Sequence, residues 1–232
     1  IHILRAGKIV YSQACWILAL TNFASLLNTV GNLQDAEKMT KLAVHTINAV
    51  DKILWSEDDN SYVDIQEEHH VGGPYRTLME DVSLFLIAAK GHFFGSDTDK
   101  ENKIDTSAVD KESSQRMYSR CLRTLDSMKK RLWKEGWPLV TEIELKTTGP
   151  WVLKPYQYHN RTLWPWCAAI ELMARSKFSQ IEECTKLFSV LTSGQPYMFS
   201  YYEWVNPIDK RGGGAFPFRT GISAVRLAIS EM

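Results

Sequence analysis

The chain has no surplus of either charge: 27 Lys and Arg stand against 27 Asp and Glu, for a formal net charge of zero. That excludes a protein that holds nucleic acid by neutralising phosphates, which needs a basic surplus. The longest basic cluster, Lys129-Lys130-Arg131, reads as the solvated end of a helix. Long apolar runs are missing as well. Stretches such as Val82 to Ala89 fall far short of the roughly 20 residues that span a bilayer, so no membrane segment and no signal peptide are expected. Cysteine is scarce and scattered. Cys15, Cys121, Cys167 and Cys184 form no C-x-x-C pair and have no His at ligand spacing, which argues against a zinc site and a disulfide framework. The lone dyad His69-His70 adds little, because adjacent residues rarely ligate one ion together. The expectation is four buried free thiols in a reducing, cytoplasmic protein with no metal and no cofactor.

What is present is helix. The 232 residues, 44% hydrophobic, suffice for one large core. Apolar residues recur at three and four spacing in seven segments: Ile9 to Leu27, Ala36 to Leu54, Leu78 to Ala89, Met117 to Leu132, Leu163 to Ala174, Ile181 to Leu191 and Phe218 to Ile229. Gly31 stops the first, and Asn32 to Asp35 start the second. Short extended pieces are expected near Tyr62 to Ile65 and at Leu139-Val140. Connections between helices ordinarily run about 2–8 residues, yet those from second to third, fourth to fifth and sixth to seventh helix are far longer. In an array of hairpins these three emerge on one face, where long ordered loops usually carry function. Ser96 to Ser114, nearly all polar, reads as a mobile insertion on the opposite face. A first residue that is not Met and already leads into a helix suggests a fragment.

Two loop segments carry the chemistry. Tyr158-His159-Asn160-Arg161-Thr162-Leu163-Trp164-Pro165-Trp166 gathers aromatics, an imidazole, an amide and a guanidinium directly ahead of a helix. Aromatic faces stack on the C–H faces of a pyranose while such polar groups bond its hydroxyls. About forty residues on, Tyr201-Tyr202-Glu203-Trp204 precedes a run through Gly212-Gly213-Gly214. A carboxylate wedged between aromatics is costly to desolvate unless it is paired or used, which makes Glu203 the leading catalytic candidate. The sequon Asn160-Arg161-Thr162 falls inside this site and is discounted as a glycosylation signal.

Four quoted stretches, in order, carry a family resemblance: Arg5-Ala6-Gly7-Lys8 leading into Tyr11-Ser12-Gln13; the Trp, acidic, Tyr-Asp loop from Leu54 to Asp64; Tyr158-His159; and Trp164-Pro165-Trp166. The chain resembles the C-terminal part of (α/α)6-barrel glycoside hydrolases, most closely the amylo-α-1,6-glucosidase domain of glycogen debranching enzymes, with neutral α-glucosidases and invertases as cousins. It departs from them in the residues Asn160-Arg161-Thr162 after the histidine and in the run Arg76 to Val82. The resemblance implies an all-α six-hairpin toroid, to which residues 1–232 contribute one incomplete catalytic domain of about seven helices. It implies inverting hydrolysis of a terminal, α-glucosidic bond, with Glu203 as general base and the general acid ahead of Arg5, outside this chain. Alone, the chain is then inactive, and its partners are a carbohydrate and the missing N-terminal part of the same protein. Asp81 and Asp64 are the internal alternatives for the acid. Tyr158, His159, Asn160, Arg161, Trp164 and Trp204 would line the sugar subsite, with Gln13 and Tyr11 as weaker candidates. Trp16, Trp166 and Phe218 read as core, and Arg219 as solvated or paired at the active face. Two other classes fit the same residues less well: a sugar epimerase on an α/α barrel with His159 central, and a non-catalytic carbohydrate-binding helical module.

Overall fold

A computed structural model describes residues 8–67, 75–78, 80–93, 111–144, 154–193 and 201–232. His69-His70, the Arg5-Ala6-Gly7 part of the turn and Ser96 to Asp110 lie outside the described residues. The chain is mostly helical, with seven helices among the described residues: α1 (Val10–Thr29), α2 (Leu33–Ile53), α3 (Val82–Phe93), α4 (Lys111–Leu132), α5 (Pro165–Lys177), α6 (Ile181–Ser193) and α7 (Arg219–Ser230). Each overlaps a segment that the apolar spacing predicted. α4 begins earlier than expected, so Lys111 to Ser114 form a first helical turn rather than the end of a polar insertion. Glu112 in that turn favours the positive helix end.

Local chemistry sets the first hairpin. α1 buries Val10, Ala14, Ile17, Leu20 and Ala24 along one stripe. It stops where Gly31 adopts φ 81°, the Gly31 N–H bonding Asn28 O at 3.0 Å and the Asn32 N–H bonding Leu27 O at 2.9 Å. Asn32 then caps α2 by accepting from the Asp35 N–H at 3.3 Å. α2 lies against α1, α1 against α3, α3 against α5, and α5 against both α6 and α7. The odd-numbered helices thus form a row, with α2 and α6 behind it. Two expectations need correcting at α1: Trp16 is 49% exposed and Cys15 is exposed, because both point away from the stripe that meets α2 and α3. The other three thiols are buried, and none is in a disulfide. By length and composition α1, 20 residues at mean hydropathy 1.3, meets the test for a membrane-crossing helix, although one side of it packs in the core.

The starts of the odd-numbered helices share one face. Tyr11 at the start of α1 feels the charges of Asp81, just before α3, and of Cys167 in the first turn of α5; with burial as the largest cause, its hydroxyl pKa is raised. Gly221 of α7 lies against Pro165 of α5. The long connections meet here through short antiparallel pairs and single bonds. β1 (Lys8–Ile9) pairs with β4 (Ile65–Glu67), which pairs with β5 (Tyr75–Thr77). β2 (Trp55–Ser56) pairs with β3 (Ser61–Tyr62), β6 (Trp133–Lys134) with β7 (Trp137–Pro138), and β8 (Trp204–Val205) with β9 (Gly212–Gly213). A chain of backbone bonds links them: Val10 N–H to Asp64 O at 2.8 Å, Glu80 N–H to Val140 O at 3.2 Å, Val140 N–H to Thr162 O at 2.8 Å, and Leu163 and Val205 exchanging bonds of 3.0 and 2.8 Å.

Directly beneath this face lies a buried ionic group. Glu80, Glu171 and Arg175 are each fully buried. Glu171 Oε1 accepts from Trp133 Nε1 at 2.9 Å, Arg175 Nε at 2.7 Å and Arg175 Nη2 at 2.6 Å. Arg175 also donates to Gln180 Oε1 at 2.5 Å and Leu125 O at 2.9 Å. Burial first, and then repulsion from Glu171, raise the Glu80 carboxyl well above its ordinary value of 4.5, so Glu80 holds its proton well past the pH at which an exposed carboxyl ionises. A raised folded-state value means that the unfolded chain ionises first. The stability contributed by Glu80 is therefore complete below pH 4.5 and falls as pH rises toward the folded-state value. Glu80→Gln, which cannot titrate, is expected to remove that slope, at most about 1.4 kcal/mol per pH unit. Urea unfolding from pH 4 to 9 checks it, and parallel pH dependence in both proteins would refute the neutral carboxyl.

Candidate active site

The loop ahead of α5 is wound tightly enough to force three side chains into the left-handed region: Tyr156, Tyr158 and Arg161 have φ of 63°, 50° and 61°. Such conformations cost of order 1 kcal/mol or more each and collect at functional loops. Internal bonds hold the winding. The Tyr156 N–H donates to Asn160 O at 2.8 Å, buried Asn160 donates its amide to Lys154 O at 3.2 Å, and Tyr158 O accepts from Trp164 Nε1 at 3.1 Å and from the Thr162 hydroxyl. The result is an aromatic nest. His159 stacks on Trp164 with ring centres 4.3 Å apart and planes within 4°, while Tyr158 stands edge-on to both at 4.2 and 5.1 Å. Trp164 is only 5% exposed and packs on Val140 and Cys167, with Trp166 and Trp204 at the edge of the same cluster.

The second segment is brought alongside by the Leu163–Val205 bridge, so residues about forty positions apart form one wall. Its glycines are explained by what they touch. A Cβ on Gly212 would overlap the Tyr202 ring, one on Gly213 the Trp204 ring, and one on Gly214 the carboxylate oxygen Oε2 of Glu203. The three glycines are a backing plate for Tyr202, Glu203 and Trp204. Glu203 is pinned to it at both ends: its N–H donates to Ala215 O at 3.0 Å, and its Oε2 accepts from the Ala215 N–H at 3.0 Å. The carboxylate also reaches across the wall. Burial first, and then the negative charge of Glu203, raise the Tyr158 hydroxyl pKa, so this Tyr stays a neutral donor beside the carboxylate.

Gly214 has φ 76°, and Gly214→Ala adds a methyl where Oε2 now sits. If Glu203 is a reacting group, turnover should fall about 10²-fold, the cost of an ångström of misplacement, while the melting temperature drops only about 2–4 °C per kcal/mol of strain. Steady-state rates with thermal unfolding check this; unchanged turnover would show that Glu203 is not the reacting carboxylate.

No family model and no curated protein sequence matches the chain.

Of the sequence-predicted residues, the structure brings together Tyr158, His159, Trp164, Trp204 and Glu203. Asn160 is buried and serves the turn. Arg161 is half-buried over the Tyr156 ring, 5.7 Å from its centre. Gln13 sits in the first turn of α1, and no bond among the described residues joins it to the aromatic wall. Asp64 is fully buried, and Asp81 lies just ahead of α3 beside Tyr11. Phe218 meets Trp164 edge-on at 6.4 Å, and Arg219 is exposed. The role of the glycine triplet, of Tyr156 and of Lys134 escaped sequence reasoning; three glycines at one loop-width from a Tyr-Glu-Trp run were the available signal. A cavity of about 610 Å³ opens elsewhere, between α2 and α4, but Arg120 in its wall is already held by Asp51 at 2.9 Å and Glu57 at 3.3 Å.

Proposed function

We propose that the protein is a glycoside hydrolase that cleaves a terminal α-glucosidic bond with inversion, the α-1,6 linkage being the first to test, and that Glu203 is its general base. The observation that carries this reading is the Glu203 carboxylate, fixed by Ala215 and backed by Gly214, on the wall that presents Tyr158, His159 and Trp204. An inverting base must be held rigidly, with its carboxyl about 6.5–9.5 Å from that of the acid so that a water fits at the sugar. Tyr158 as a neutral donor suits a sugar hydroxyl, and the His159 ring, seated on Trp164, offers a flat edge with a polar nitrogen.

The row of odd-numbered helices with α2 and α6 behind it supports an arc of an (α/α)6 toroid. Further helices beyond α1 are part of the proposal, because Trp16, Phe23, Leu26 and Val30 leave an apolar stripe 48–68% exposed on its outer side, more than a stable monomer ordinarily shows. On this reading the general acid comes from that added part. A cytoplasmic location and the absence of nucleic-acid and membrane partners belong to the same proposal.

The deciding experiment is proton NMR of anomeric signals during incubation of a branched α-glucan dextrin with this chain and with the chain extended upstream. Release of β-glucose first, by the extended form only, supports the reading. Release of α-glucose first would overturn inversion, and isomerisation of free sugar without hydrolysis would favour the epimerase.

A further inference from the structure

Beside the aromatic wall, three cations sit on aromatic faces without a carboxylate among the described residues. β6 and β7 place Lys134 opposite Trp137. Lys134 Nζ lies 4.6 Å from the centre of the Tyr156 ring and 2.6 Å from its hydroxyl. Arg161 Cζ lies over the same ring at 5.7 Å, and Lys210 Nζ lies over Trp137 at 4.0 Å. The acids nearest in sequence do not answer them: Glu135 is exposed at the hairpin turn, and Asp209 pairs with Arg211. Arg161 stands out, because its Nε is removed from water and has no hydrogen-bond acceptor among the described residues. A buried unpaired donor costs about 1–3 kcal/mol, and a cation–π contact returns about 0.5–1 kcal/mol. Arg161 is held there by a left-handed backbone, φ 61°, three residues from Tyr158. A guanidinium whose Nε has no acceptor among the described residues matches a planar or tetrahedral oxyanion, and an ammonium on the same Tyr156 ring supplies a second point of attraction.

We infer that the ligand of this face carries a negative charge, a carboxylate or phosphate on the saccharide, gripped by Arg161 and Lys134 across the Tyr156 ring. The saccharide part of this statement rests on the proposed hydrolase reading; the anion rests on the cations alone. Recognition is therefore of an acidic group carried by the saccharide near the proposed glycosidic bond, in addition to its neutral hydroxyls.

Matched ligands separate the two layers. Calorimetric titration of the intact chain would compare glucose with glucuronate and glucose 6-phosphate, and inorganic phosphate and acetate with no sugar attached. The expected result is binding of at least one acidic sugar about tenfold or more tighter than glucose. That preference should weaken with added salt, be lost in Arg161→Gln, shrink in Lys134→Gln and be kept in part by Arg161→Lys. Whichever acidic sugar gains more names the anion. Equal binding of neutral and acidic sugars, or a preference that survives Arg161→Gln, would overturn the inference while leaving the hydrolase reading intact. Phosphate bound through Arg161 with no contribution from any sugar would keep the anion site and sink the saccharide. Binding of none of the five would sink both. Circular dichroism of each variant ensures that a lost preference is not a lost fold.

Discussion

In the proposed hydrolase, Glu203→Gln should lower turnover by about 10²–10⁴-fold, the range expected when a positioned general base is removed, with helical content and melting temperature unchanged. The amide is nearly isosteric and its oxygen still accepts from the Ala215 N–H, now 3.0 Å from Oε2, so the backing plate of Gly212 to Gly214 stays filled. What is lost is the ability to take a proton from water. Binding of substrate should persist, because Tyr158, His159 and Trp204 are untouched, so the loss falls on kcat and leaves KM little changed. Single-turnover and steady-state rates on the hydrolytically competent form check it. Retained turnover would move the base to another carboxylate, with Asp64 and Asp81 next in line.

The largest stability effect is expected at Arg175. Its guanidinium neutralises Glu171 and closes the buried set with Gln180 Oε1 and Leu125 O. Arg175→Met keeps much of the volume but strands two carboxyl groups in a dry interior. Breaking a buried pair from one side costs about 3–5 kcal/mol, and at about 2–4 °C per kcal/mol for a chain of this size the melting temperature should fall by on the order of 10 °C. Adding Glu171→Leu and Glu80→Gln should restore much of it, because a buried ion pair replaced as a whole by apolar groups is often neutral or better. Chemical unfolding of the single and triple variants checks both steps; a triple variant as weak as the single one would show that Arg175 acts through packing on Trp133, whose ring centre lies 4.9 Å away, rather than through charge.

How far the sequence carried the fold depended on the kind of signal. Helices were legible because burial imposes a period on the chain: the buried stripe of α1 and the Gly31-Asn32 junction follow from spacing and from glycine and asparagine chemistry alone. The meeting of the long loops was legible from their alternation. The outward faces of α1 were not, since Trp16 and Cys15 look like core residues until the neighbouring helices are placed. Nor was the buried acid. Glu80 is separated from the other two by a long stretch of chain, and only Glu171 and Arg175, at a spacing of four on α5, hint at a pair. At the site, residue type marked Tyr158, His159 and Glu203, whereas the turn bonds that bury Asn160 depend on backbone conformation at Tyr156 and Arg161, which residue type disguises because Tyr and Arg rarely adopt positive φ.

Those same left-handed positions make the loop a reserve that laboratory evolution can draw on. Glycine at Tyr156, Tyr158 or Arg161 would relieve backbone strain and tend to raise heat resistance, yet each exchange deletes a side chain of the proposed binding face. Selection for thermal endurance alone should therefore enrich glycine at these three positions and produce robust, inert variants, whereas selection that also demands activity should find its stabilising changes elsewhere in the molecule.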